Sequence, residues 1–101
     1  MQKIKPWRCK KYTDWVKQLP SAISMKPADD PHHVKGVLFT GTTKPHDLFV
    51  MPMTRDEHTY LHDKGATEWQ RIMQISQSDE IIRTINKALN DGLIEIKWIG
   101  A

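Results

Sequence analysis

Residues 29–62, DDPHHVKGVLFTGTTKPHDLFVMPMTRDEHTYLH, decide how this chain is read. The stretch holds all five histidines of a 101-residue protein, in three groups: the tandem pair His32-His33, the His46-Asp47 pair, and His58-x-x-x-His62. Residues four apart on a helix lie one above the other on one face, so His58 and His62 can offer two imidazoles to a single point. The residues between them carry strand and turn signals. His32 to Val37 reads as a short strand, residues 40–45 (TGTTKP) as turn chemistry, and residues 47–53 (DLFVMPM) as a second strand. Thr54 followed three residues later by Glu57 is a capping box that opens the histidine-bearing helix, and Gly65 suits its end. The order is therefore strand, strand, helix.

Outward from this stretch, the N-terminal side places Tyr12, Trp15, Val16 and Leu19 at helical spacing, which predicts a helix over residues 9–18 that Pro20 halts. Residues 21–30 show no periodicity and form a loop that delivers the histidine pair. On the C-terminal side, Thr67 and Gln70 start a short helix carrying Trp69, Ile72 and Met73. Ser78 is expected to cap another helix with Ile81, Ile82, Ile85, Ala88 and Leu89 on one face, and Gly92 ends it. Residues 93–99, LIEIKWI, alternate and predict a terminal strand, its charges suiting a sheet edge. The fold class is α+β in a single domain, with the hairpin and helix of residues 30–64 as its centre.

Composition bounds the function. Fifteen Lys+Arg against twelve Asp+Glu give a net charge of +3, compatible with a phosphate-bearing partner but not diagnostic of one. Cys9 is the single cysteine, so an internal disulfide and an all-cysteine zinc site are both excluded, and a metal must be held mainly by histidine. The start, MQKIKPWRCKK, lacks the apolar run of a secretory signal, and no stretch reaches the ~18 apolar residues of a membrane span. The expectation is a soluble, cytoplasmic protein with no membrane partner.

A lone histidine is usually a surface or satisfied core residue; a cluster of them is different. Three neutral imidazoles suit zinc, nickel, manganese or iron, and three protein ligands leave coordination positions open. If His32 turns toward a metal shared with His58 and His62, the adjacent His33 points to the other face of its strand and is available as a general base. Asp47 can then hold the far ring nitrogen of His33, and a plain turn residue is the competing reading of that position.

These motifs carry a resemblance. PADDPHHVKG, KPHDLFVMPM and RDEHTYLH recur in order as in the HNH endonucleases, the ββα-metal fold. More closely, the chain resembles the phage and prophage recombination enhancement nucleases, which act on DNA bound by the RecA recombinase. The likeness extends to the KYTDWVKQLP helix and covers about residues 10–70. It implies a ββα-metal core with flanking helices, a metal-dependent DNA endonuclease that hydrolyses phosphodiester bonds, and DNA, bare or RecA-coated, as partner. It places His33 on the general base and His32, His58 and His62 on the ligands of one divalent ion (zinc, manganese, magnesium or nickel). Asp47 stands where such enzymes usually have Asn. His46 beside it is a supporting partner, a phosphate contact or a surface residue.

The chain departs from the group in one respect. Relatives hold a structural zinc with a C-x-x-C and a C-x-x-H, and those positions are Ser21, Ser24, Thr54 and Glu57 here. No structural zinc is expected, since hydroxyls and one carboxylate do not make such a site. Lys35, Lys44 and Arg55 flank the expected centre and are, with His46, the nucleic-acid contacts expected from the sequence. Trp15 and Trp69 sit on apolar faces and read as core. The alternative reading is a DNA-binding or recombination-accessory module with a vestigial nuclease site. A protein-interaction domain with a purely structural metal has no use for His33 beside His32.

Overall fold

The computed structural model describes residues 6–34 and 45–100. Among them the protein is a small α+β fold with four helices and one two-stranded antiparallel sheet: α1 (Lys10–Val16), β1 (Asp30–His33), β2 (Val50–Met53), α2 (Arg55–Lys64), α3 (Ala66–Met73) and α4 (Gln77–Asn90). β1 and β2 pair in the register His32↔Met51 and His33↔Val50.

The sheet divides the core because neighbouring strand residues face opposite ways. Met51 and Met53 point into one cluster with Val34, Leu61, Trp69 and Ile81, supplied by α2, α3 and α4. Val50 points into the other, with Tyr12 and Val16 of α1 and Ala88 near the end of α4. Trp69 is wholly buried, and truncating such a side chain to Ala costs ~3–5 kcal/mol. The loop after α1 is pinned to β2 by Ala22 N–H to Pro52 O (2.9 Å) and Asp29 N–H to Met53 O (3.2 Å).

α2 begins as its sequence predicts. The Thr54 hydroxyl accepts the Glu57 N–H at 3.2 Å, and Glu57 Oε1 accepts the Thr54 N–H at 2.8 Å, which closes the capping box. Gly65, at φ +81°, separates α2 from α3 in a backbone conformation that a side chain disfavours.

Several boundaries differ from the sequence expectations, and α1 is shorter at both ends than residues 9–18. β1 starts earlier, at Asp30; Val34 N–H still bonds Phe49 O at 3.1 Å, and the rest of the expected strand and turn lie outside the described residues. β2 starts later than Asp47, because Phe49 N–H closes a turn onto His46 O at 3.0 Å. The cap of α4 is Ser76, whose hydroxyl accepts the Asp79 N–H at 3.3 Å, so the helix starts before Ser78. The expected C-terminal strand does not form. Leu93 N–H bonds back to Ala88 O and Ile94 packs on the α1 cluster, while Ile96, Trp98 and Ile99 are exposed and no described strand pairs with them. Alternation makes a segment competent for a sheet, but a strand exists only where a second edge supplies its hydrogen bonds. No helix among the described residues is long and apolar enough to cross a membrane.

Candidate metal centre and basic cleft

A cleft of about 880 Å³ opens between α1, β1, α2 and the start of α4. β1 supplies two histidines to its lining from opposite faces of the strand, and α2 brings two more by helical spacing. His32 is buried, His58 half-buried and His62 exposed, and one ring nitrogen from each lies within 4.8 Å of the other two. His32 Nδ1 is 2.9 Å from His58 Nε2, and His62 Nε2 is 3.0 Å from the same atom.

The surroundings set which nitrogens face inward. His32 Nε2 meets Gln77 Oε1 at 2.8 Å inside the fold, so the proton belongs on Nε2 and the Nδ1 lone pair faces the cluster. His58 Nδ1 lies 3.4 Å from Asp30 Oδ2, which favours the proton there and directs the Nε2 lone pair inward. Burial drives the His32 pKa down from 6.5 to about 4, against the Gln77 hydrogen bond and with the nearby His58, His62 and His33 adding to the lowering. His32 is therefore neutral at neutral pH. Two inward lone pairs 2.9 Å apart repel unless a cation lies between them. Nitrogens bound to one ion at ~2.0–2.1 Å stand roughly 2.9–3.4 Å apart in octahedral or tetrahedral arrangements, so the donor set fits a divalent transition metal. Asp30 is the kind of carboxylate partner that ligand histidines ordinarily have, and the Gln77 carbonyl oxygen plays the part for His32 that a backbone carbonyl often does.

His33 lies on the opposite side of β1, and both residues line the cleft. Its Nε2 is 2.9 Å from Asp47 Oδ1. Asp47 also takes the Cys9 N–H at 2.8 Å and an Arg8 guanidinium contact at 3.3 Å. Burial alone would raise the Asp47 carboxyl, but the hydrogen bonds from His33 and Cys9 and the charges of His33 and Arg8 outweigh it and hold it below the usual range. An ionised Asp47 keeps the proton on His33 Nε2, which leaves Nδ1 as the basic nitrogen. Asp47 is thus a turn residue and a histidine partner at once.

The remaining expected residues fall elsewhere. His46 Nδ1 accepts the Trp7 N–H at 2.6 Å and its ring meets Phe49 edge-on, so it ties down the N-terminal segment rather than lining the cleft. Arg55 is exposed beside Asp30 at 3.7 Å and does not line the cleft either. Lys35 and Lys44 lie outside the described residues. The sequence reading missed Gln77, which is 45 residues from His32 and has no spacing signal, and Arg8, whose role depends on Asp47. Asp30 was more accessible, because it stands in the acidic pair just before the tandem histidines.

The four positions at which a structural zinc was not expected do come together. Ser21 Oγ donates to Glu57 Oε1 at 2.5 Å and accepts the N–H groups of Ile23 and Ser24 at 3.0 and 3.2 Å. Burial would raise the Glu57 carboxyl, yet hydrogen bonds from Ser21, Ser24 and Thr54 prevail and lower it.

Fold and site together define a small α+β protein with a three-histidine centre and a His–Asp pair in one cleft. The chain belongs to the family described as "Protein of unknown function (DUF968)", whose model matches residues 1–92. It is 41% identical over 95 residues to "Uncharacterized protein YdfU" of Escherichia coli (strain K12), a match covering 93% of this chain and 27% of that protein. The chain therefore spans about a quarter of that relative's length. No solved structure matches it.

Proposed function

We propose that this chain is a metal-dependent DNA endonuclease of the HNH type, in which β1, β2 and α2 form a ββα-metal core, and that it acts like the recombination enhancement nucleases of phages and prophages. One observation carries the reading: three inward-facing imidazoles and a separate His33–Asp47 pair share one cleft. A purely structural metal would leave the second pair without a task.

His32, His58 and His62 would hold the ion. Bound there, a divalent metal supplies charge stabilisation for the phosphate and the departing oxygen. His33 Nδ1 takes a proton from the water that attacks phosphorus, and Asp47 keeps the ring oriented and stabilises the imidazolium that results. Arg8 and the Cys9 N–H hold the Asp47 carboxylate in place.

The test is plasmid nicking by the unmutated protein with manganese, magnesium, zinc or nickel, on bare DNA and on RecA-coated DNA, beside His33→Ala. The variant should keep metal and DNA binding and lose cleavage by ~10²–10⁴-fold, the usual worth of a general base. Undiminished cleavage by His33→Ala, or no cleavage by the unmutated protein with any metal on either substrate, overturns the proposal.

A further inference from the structure

The two sides of the cleft differ in charge. The histidine centre and the His33–Asp47 pair occupy one side, and the other is built by α1 and the residue pair that leads into it, through Arg8, Lys10, Thr13 and Lys17. Positions 10, 13 and 17 are three and four apart and so share one helix face. A neighbouring face of α1 buries Tyr12 and Val16, which fixes the basic face relative to the sheet.

The basic groups are not equivalent. Arg8 is committed to the Asp47 carboxylate and to the carbonyl of Pro45. Lys10 and Lys17 instead share Asp14, at 2.6 and 3.8 Å, with both lysine side chains widely exposed. Such surface pairs are worth about 0–1 kcal/mol, so a phosphate displaces Asp14 at little cost. The spacing also suits a polymer. Seven residues of helix rise about 10 Å, roughly the axial rise of three nucleotide steps along one strand of DNA at ~3.4 Å each.

We propose that α1 is the platform for the substrate backbone: Lys10, Thr13 and Lys17 contact phosphates within one short stretch of the DNA strand whose scissile bond lies at the histidine centre. The identity of the polymer rests on the nuclease reading above. The placement of the contacts rests on the cleft alone, and it adds the N-terminal helix to the contacts expected from the sequence.

Binding can be read separately from cleavage, by fluorescence anisotropy of a labelled oligonucleotide with the full chain in chelator, over a range of salt. Lys10→Ala/Lys17→Ala should weaken binding about ten-fold or more near 0.1 M salt and reduce the log–log salt slope by about 2, one per lost phosphate contact. Lys87→Ala, on α4 and outside this cleft, should change neither. In nicking assays the double variant should need more DNA and reach the same rate at saturation. Affinity and slope unchanged in the double variant overturn the platform, and if the unmutated protein still cleaves, the nuclease reading survives that result. Binding that is lost in the double variant of a protein that never cleaves supports the platform and removes the nuclease. A chain that binds no DNA at all overturns both.

Discussion

Two polar clusters hang from adjacent residues of α2, and they are chemically opposite. Around Glu57, every contact joins a donor to an acceptor: the Ser21 hydroxyl and the Thr54 N–H give to the carboxylate, and the Thr54 hydroxyl takes the Glu57 N–H. Around His58, ring nitrogens approach at 2.9 and 3.0 Å, and with Gln77 and Asp30 holding the outer protons of His32 and His58, those two rings set lone pair against lone pair. The first cluster is complete in itself, while the second leaves acceptors facing each other that a shared cation would satisfy. A buried group of polar side chains is thus judged by whether its donors and acceptors balance, more than by which residue types it contains.

The largest effect that would break this contrast comes from His58, whose nitrogen is central to the three. His58→Ala should abolish stoichiometric binding of about one divalent ion per chain, and cleavage with it, as read by metal analysis and nicking. Retention of that ion by the variant would show that the three imidazoles are not its ligands. Gln77→Leu sharpens the point, because it keeps the ligand and removes the group that orients it. Loss of such a supporting partner is expected to weaken metal affinity ~10–100-fold by calorimetry, and unchanged affinity would mean that His32 does not depend on Gln77 for its tautomer.

The smaller effect belongs to the other cluster. Glu57→Ala leaves the buried Ser21 hydroxyl and the Thr54 N–H without their acceptor and opens the capping box, which should cost about 2 kcal/mol in denaturant unfolding. Metal affinity should be unchanged. Should Glu57→Ala also strip the metal, the two clusters would be coupled through α2 and the distinction between them would fail.

What could be read ahead of the structure followed from local rules. The i, i+4 spacing of His58 and His62, the Thr54–Glu57 capping box and the opposite facing of His32 and His33 each depend on a few neighbouring residues, and a helix or strand enforces them wherever it forms. Tertiary structure decided what depends on distant partners. Gln77 reaches His32 because α4 packs beside the strand, and Arg8 reaches Asp47 because the segment before α1 lies against the turn that precedes β2. The terminal LIEIKWI stretch shows the same limit from the other side. Its alternation makes it fit for a sheet, yet pairing needs a second strand's free edge, and where the packed elements place such an edge is not written in the segment itself.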